Sequence, residues 1–181
     1  GQFTYAGGVP ANRIAKWDGE SWTALGSGLN NRAYAVATTG SVVYAGGDFT
    51  AAGGVTANHI ARWSGSAWSA LGSGVNSQVL ALAINGSDVY AGGQFTTAGG
   101  NAANHIARWN GSTWSPLGDG VNGQVQALAL IGSDLYAGGV FSMAGGILTI
   151  GIAKWDGSNW SALGSGLNGS VYAIAINGND L

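Results

Sequence analysis

Six consecutive apolar residues, Val79-Leu80-Ala81-Leu82-Ala83-Ile84, are followed by the polar Asn85-Gly86-Ser87-Asp88 and then by a second β-favouring run, Val89-Tyr90-Ala91-Gly92-Gly93-Gln94-Phe95. Two such runs joined by a short turn read as paired antiparallel strands. After a loop from Thr96 to Ala103 comes Ile106-Ala107-Arg108-Trp109, in which Ile106 and Arg108 share one face and Ala107 and Trp109 the other, as in a strand. Asn110-Gly111 then leads into Trp114-Ser115-Pro116-Leu117, a short fourth strand that tolerates its proline only at a sheet edge. No apolar set recurs at helical spacing, and 34 glycines interrupt every segment, so the pattern predicts an all-β chain.

This four-stranded pattern recurs every 46 residues: Trp17, Trp63, Trp109 and Trp155 are evenly spaced, as are Trp22, Trp68, Trp114 and Trp160. A unit of this size cannot bury its own apolar faces, and stacking copies of it predicts the blades of a β-propeller. The 181 residues amount to four periods less three residues, with blades near 31–76, 77–122 and 123–168 and a last one split between 169–181 and 1–30. The chain begins and ends inside the second strand of a blade, a pattern expected of a piece of a longer repeat protein. Two arrangements follow: Val171–Ile176 joins the strands of Asn12–Leu25 within one molecule, closing a four-bladed ring, or two chains complete each other's split blade as an eight-bladed homodimer. A closed ring or a dimer is expected over an open array.

Within a blade, the alanine-rich strand is expected at the axis and the Trp-Ser-Ala-Leu strand at the outer edge. Alanines such as Ala81 and Ala83 would form a small-residue face, with Leu82 and Ile84 filling the gap to the next blade. Gly46-Gly47 and its equivalents mark either positive φ or a close backbone approach.

Charge narrows the partners. Only 8% of residues are charged and the net charge is −2, so six scattered Lys and Arg residues give neither nucleic acid nor an anionic membrane a basic patch to bind. No apolar run reaches the roughly 18 residues of a membrane span. With no cysteine there is no disulfide or thiolate metal site. A surface rich in Gly, Ser, Thr and Asn points to an extracellular or cell-surface setting.

Tyr44-Ala45-Gly46-Gly47, the strand ending at Trp63, and Trp68 five residues later resemble the kelch motif, with its double glycine and spaced aromatic pair. The wider pattern is similar to repeats of large secreted bacterial proteins and of the fungal cortical cell-polarity marker family. The resemblance covers all four repeats and implies a propeller in an extracellular setting, with no catalytic residues to carry over. The first strand lacks the arginine often found in kelch repeats, and the loop between the aromatics is shorter.

Candidate sites lie in two loops expected at one end of the ring. Asn30, Asn76, Asn122 and Asn168 recur in the first and Asn12, Asn58 and Asn104 in the second. Amides beside indole rings suit a sugar; equally, asparagine caps loops through its own backbone bonds. His59 and His105 occupy one repeat position, filled by Arg13 and Gly151 in the other copies, too few for a metal ring and with no acidic cluster beside them. Lys16, Arg62, Arg108 and Lys154 before each first Trp suggest ion pairs or cation–π contacts between blades. Asp88, Asp134 and Asp180 read as turn formers, and Asp18-Gly19 as a hairpin turn. Ile147-Leu148-Thr149-Ile150-Gly151 is apolar where the other copies are polar, so Leu148 and Ile150 mark a candidate contact loop.

No nucleophile–base pair, carboxylate pair or metal cluster emerges, and the blades are uniform. The sequence therefore favours a non-enzymatic extracellular module that presents loops to a protein partner and uses no cofactor or metal. A multivalent, lectin-like carbohydrate binder is the alternative.

Overall fold

The computed structural model describes residues 1–181 and contains strands without helices. The N-terminal part holds β1 (Tyr5–Ala6), β2 (Val9–Pro10), β3 (Ala15–Trp17) and β4 (Trp22–Ala24). The next repeat comprises β5 (Ala33–Thr39), β6 (Val42–Gly47), β7 (Ala51–Ala52), β8 (Val55–Thr56), β9 (Ile60–Trp63) and β10 (Trp68–Ala70). It is followed by β11 (Val79–Asn85), β12 (Asp88–Gly93), β13 (Thr97–Ala98), β14 (Asn101–Ala102), β15 (Ile106–Trp109) and β16 (Trp114–Pro116). The last full repeat is β17 (Gln124–Ile131), β18 (Asp134–Val140), β19 (Met143–Ala144), β20 (Ile147–Leu148), β21 (Ile152–Trp155) and β22 (Trp160–Ala162).

Each full repeat builds one antiparallel four-stranded sheet in meander order, for example β11-β12-β15-β16. These are propeller blades, and the first strands β5, β11 and β17 lie side by side, where consecutive blades meet. The fourth strand is the free edge, which is why Pro116 is harmless in β16: nothing beyond it calls for its missing N–H. The turn between the first two strands centres on Gly86-Ser87. Asn85 pairs with Asp88, and Gly86 takes φ 59° at the first central position, as a tight hairpin of right-handed twist requires.

Two features depart from the plain meander. The expected loop between second and third strands is a small ribbon, such as β7–β8, turned by Gly53-Gly54 with both φ values positive, at 59° and 82°. Each first strand also carries a bulge near its start, where the register shifts between Ala33 and Ala35, Val79 and Ala81, and Val125 and Ala127.

The hydrophobic core lies between blades. One cluster joins Leu71 and Val75 of one repeat to Phe95, Ala98 and Trp114 of the next; matching clusters stand on either side of it. Gly46 explains how closely the sheets approach. A Cβ there would collide with the Val79 side chain of the next blade and touch Leu82, and Gly92 meets Val125 and Leu128 in the same way. The double glycine is thus a close approach and not a positive-φ site. Leu82 fills the space toward the preceding blade, while Ala83 joins the cluster shared with the next one.

The two ends differ from the middle. β3 and β4 form a sheet of two strands only, and Val171–Ile176 has no ladder partner. The join within one molecule that the sequence allowed is not made. Val171 nevertheless sits where a first strand belongs, against Gly138, and donates its N–H to the Gly139 carbonyl at 3.1 Å.

Candidate binding grooves

The loop after each fourth strand meets the ribbon of the next blade. Leu29 bridges to Ala52, Val75 to Ala98 and Val121 to Ala144. The asparagine beside each bridge fastens the joint: the Asn30 carbonyl oxygen accepts from the Thr50 and Ala51 N–H groups at 2.9 and 3.0 Å, and its amide donates to the Thr50 hydroxyl at 2.9 Å. Asn76 holds Thr96 and Thr97 in the same way, and Asn122 holds Ser142 and Met143. Asn168 has no ribbon to hold.

The second set of asparagines stands across the same groove. Asn12, Asn58 and Asn104 donate to the carbonyls of Ser27, Ser73 and Asp119 at 2.9–3.0 Å. Gly28, Gly74 and Gly120 approach these asparagines so closely that a Cβ would strike their main-chain oxygens. Three equivalent shallow grooves result, of about 260 Å³ beside Arg13, 310 Å³ beside His59 and 400 Å³ beside His105.

Arg13, His59 and His105 have φ of 66°, 64° and 65°, and Gly151 has 74°. The shared position is a left-handed turn residue, a constraint the sequence did not reveal because the side chains differ. His59 Nδ1 lies 3.2 Å from the Gly47 carbonyl, whereas the buried His105 Nδ1 is near the equivalent Gly93 carbonyl without a well-formed hydrogen bond to it. Burial pushes the His105 pKa down, with the Gly93 carbonyl opposing.

Among solved structures, the chain is similar to the crystal structure of a computationally designed protein, Ika4, with a TM-score of 0.56 and 17% identity over 85% of each chain. The computationally designed Ika8 aligns over 85% of this chain and 55% of its own, at 18% identity and a TM-score of 0.48. Likeness at such identity bears on the fold alone, and Ika4 agrees with a propeller of repeated four-stranded blades. No family model and no curated protein matches the chain.

Two of the four cations before the tryptophans, Arg108 and Lys154, pair within a blade and not between blades; Lys16 and Arg62 make no ion pair. Arg108 lies 3.6 Å from Asp88, and Lys154 donates to Asp134 at 2.9 Å, each across the second and third strands of one sheet. That hydrogen bond and charge hold the Lys154 pKa above its ordinary value. Asp88 and Asp134 therefore begin strands and face a cation; they are not merely turn formers. Asp18 and Asp156 do form turns: N–H groups of Ser21 and Glu20, and of Asn159 and Ser158, hold their carboxyls below the ordinary range.

Each tryptophan pair is a tilted cross-strand pair with centroids 5.3–5.5 Å apart. The second member of three pairs reaches into the neighbouring blade: the indole N–H groups of Trp68, Trp114 and Trp160 donate to the carbonyls of Leu25, Leu71 and Leu117 at 2.7, 2.7 and 2.8 Å. In the divergent loop, Ile147 and Ile150 are exposed and Leu148 is the most open, at 69% of its surface. Thr149, standing where other copies have alanine, is buried with its hydroxyl unpaired.

Proposed function

We propose that the chain is a non-enzymatic, extracellular binding module that presents its groove-side loops to a protein partner. The observation that carries this reading is the apolar strip of Met143, Ile147, Leu148 and Ile150, exposed on one blade's rim. At the last of these positions the other copies have Asn12, Asn58 and Asn104, so the strip is local and not a demand of the repeat. Exposed apolar groups clustered on a polar rim fit a protein contact. The kelch-like Tyr-Ala-Gly-Gly signature and the low charge support the extracellular setting and kinship with secreted repeat proteins.

Peptides selected by display against the immobilised chain should bind a Leu148→Ser/Ile150→Ser variant at least about 10-fold more weakly, a loss ordinary for interface anchors. Undiminished binding by all selected peptides would overturn the reading. The three equivalent grooves keep a carbohydrate ligand as a second reading, in which repeated weak sites gain avidity. Asn30, Asn76 and Asn122 would then act by shaping the loop, since their amides are engaged within it. A glycan array without hits removes that reading.

A further inference from the structure

Three interblade clusters are filled, and the two ends of the chain carry the separated halves of a fourth. Shifting each internal cluster by whole repeats places Ile152, Leu163 and Leu167 on one side of this fourth interface and Phe3, Ala6 and Trp22 on the other. The internal equivalents are buried. Phe3 is 39% exposed against 0% for Phe49 and Phe95; Leu167 is 48% exposed against 2% for Leu29; Trp22 is 40% exposed against 6% for Trp68. Phe3, Tyr5, Ala6, Ala15 and Trp22 line an apolar hollow of about 490 Å³. In the internal junctions the same hollow receives Leu25 and Leu29, or Leu71 and Val75.

The polar groups match as well. Trp68, Trp114 and Trp160 each donate to a carbonyl of the preceding blade, and by the same offset the unpartnered Trp22 indole would donate to Leu163. Asn168, which lacks the ribbon its equivalents hold, would accept from the N–H groups of Thr4 and Tyr5, and Leu167 would bridge to Ala6. The two half-blades also complement each other, Val171–Ile176 being a first strand without a sheet and β3–β4 an outer pair without inner strands.

We propose that these ends dock onto the opposite ends of a second copy of this chain, so that two chains close one ring through two identical head-to-tail junctions. A second copy is the occupant because its opposite end carries the matching half of each contact: the same tryptophan bond forms at 2.7–2.8 Å at three successive junctions, and the two end segments of one molecule do not pair with each other. Faces that differ at the two ends give a heterologous contact, which closes when the rotation suits and otherwise polymerises. Each closure also builds a fourth groove shared by two chains, with Ile150, Gly151 and Asn168 from one and Tyr5 and Gly8 from the other.

Light scattering of the 181-residue chain should give twice its 18.0 kDa mass at micromolar concentration. Leu167→Asp, on one face, and Ala6→Asp, on the other, should each weaken self-association at least about 100-fold, because a carboxylate would be buried without a partner. Both positions belong to the end faces, and circular dichroism checks that each variant keeps its sheets. Mixing the two variants leaves one intact junction per pair and should restore a heterodimer; two faces that each pair with themselves would give none. A wild-type monomer at these concentrations, wild-type mass in both variants, or a mixture that stays monomeric overturns the proposal, as would open polymers in place of a two-chain ring.

Discussion

Phe95 and Phe3 occupy one repeat position, as do Trp114 and Trp22, yet the first of each pair is sealed between blades and the second lies open. The local sequence is nearly the same, so the difference comes from the neighbour. A propeller blade is hydrophobic on both faces, and its own four strands cover neither. Stability in this fold is therefore carried by junctions: a residue matters when the next blade is in place to bury it.

The comparison is tested hardest at the phenylalanines. Phe95→Ala empties a site with no exposed surface and should cost about 3–5 kcal/mol in urea unfolding. Phe3→Ala, measured at concentrations low enough to keep chains apart, should cost less than about 1 kcal/mol, as for an exposed side chain away from special structure. Equal losses would mean that the ends are packed as tightly as the middle. In a concentrated sample, Phe3→Ala should approach the cost of Phe95→Ala if its hollow is filled by another chain.

The tryptophans separate polar from apolar contributions. Trp114→Phe keeps an aromatic ring but removes the buried bond to the Leu71 carbonyl. That carbonyl still accepts from Gly74 at 3.1 Å, so the hydrogen-bond loss should be about 1 kcal/mol and not the larger penalty of an orphaned group. Trp22→Phe in dilute chains should leave unfolding nearly unchanged. A comparable loss at both positions would show that the indole N–H contributes within its own blade.

Much of this architecture was legible in the sequence, for physical reasons that also explain what was not. The tryptophan pairs, the apolar first strand and the turn glycines obey local rules, so the strands, their order and the edge position of Pro116 could be read. The ribbon turned by Gly53-Gly54 was legible in principle, since two adjacent glycines between short β-favouring pairs are what its turn needs. The pairing of Asp88 with Arg108 was not, because it depends on the offset between non-adjacent strands of one sheet. Nor was the left-handed backbone at Arg13, His59, His105 and Gly151: only the last advertises it. The asparagines were found as candidates, but periodicity alone does not tell an amide that faces a ligand from one that ties a loop, and Asn30, Asn76 and Asn122 tie loops.

The smallest expected effect distinguishes two internal positions. His59 and His105 share a turn conformation, but only His59 Nδ1 makes a well-formed hydrogen bond to a carbonyl; burial, outweighing the nearby Gly93 carbonyl, lowers the His105 pKa from its ordinary 6.5. A histidine with a lower pKa when folded binds protons more readily in the unfolded chain, so acid favours unfolding. Stability should be at its full value above pH 6.5 and decline as pH falls from there toward the depressed folded value, then level off with respect to this group. His105→Asn keeps a side chain that tolerates positive φ and removes the titration. The variant should lose part of the stability decline across that interval in unfolding curves taken at successive pH values. An unchanged decline would assign the pH dependence to other groups and remove the distinction drawn between the two histidines.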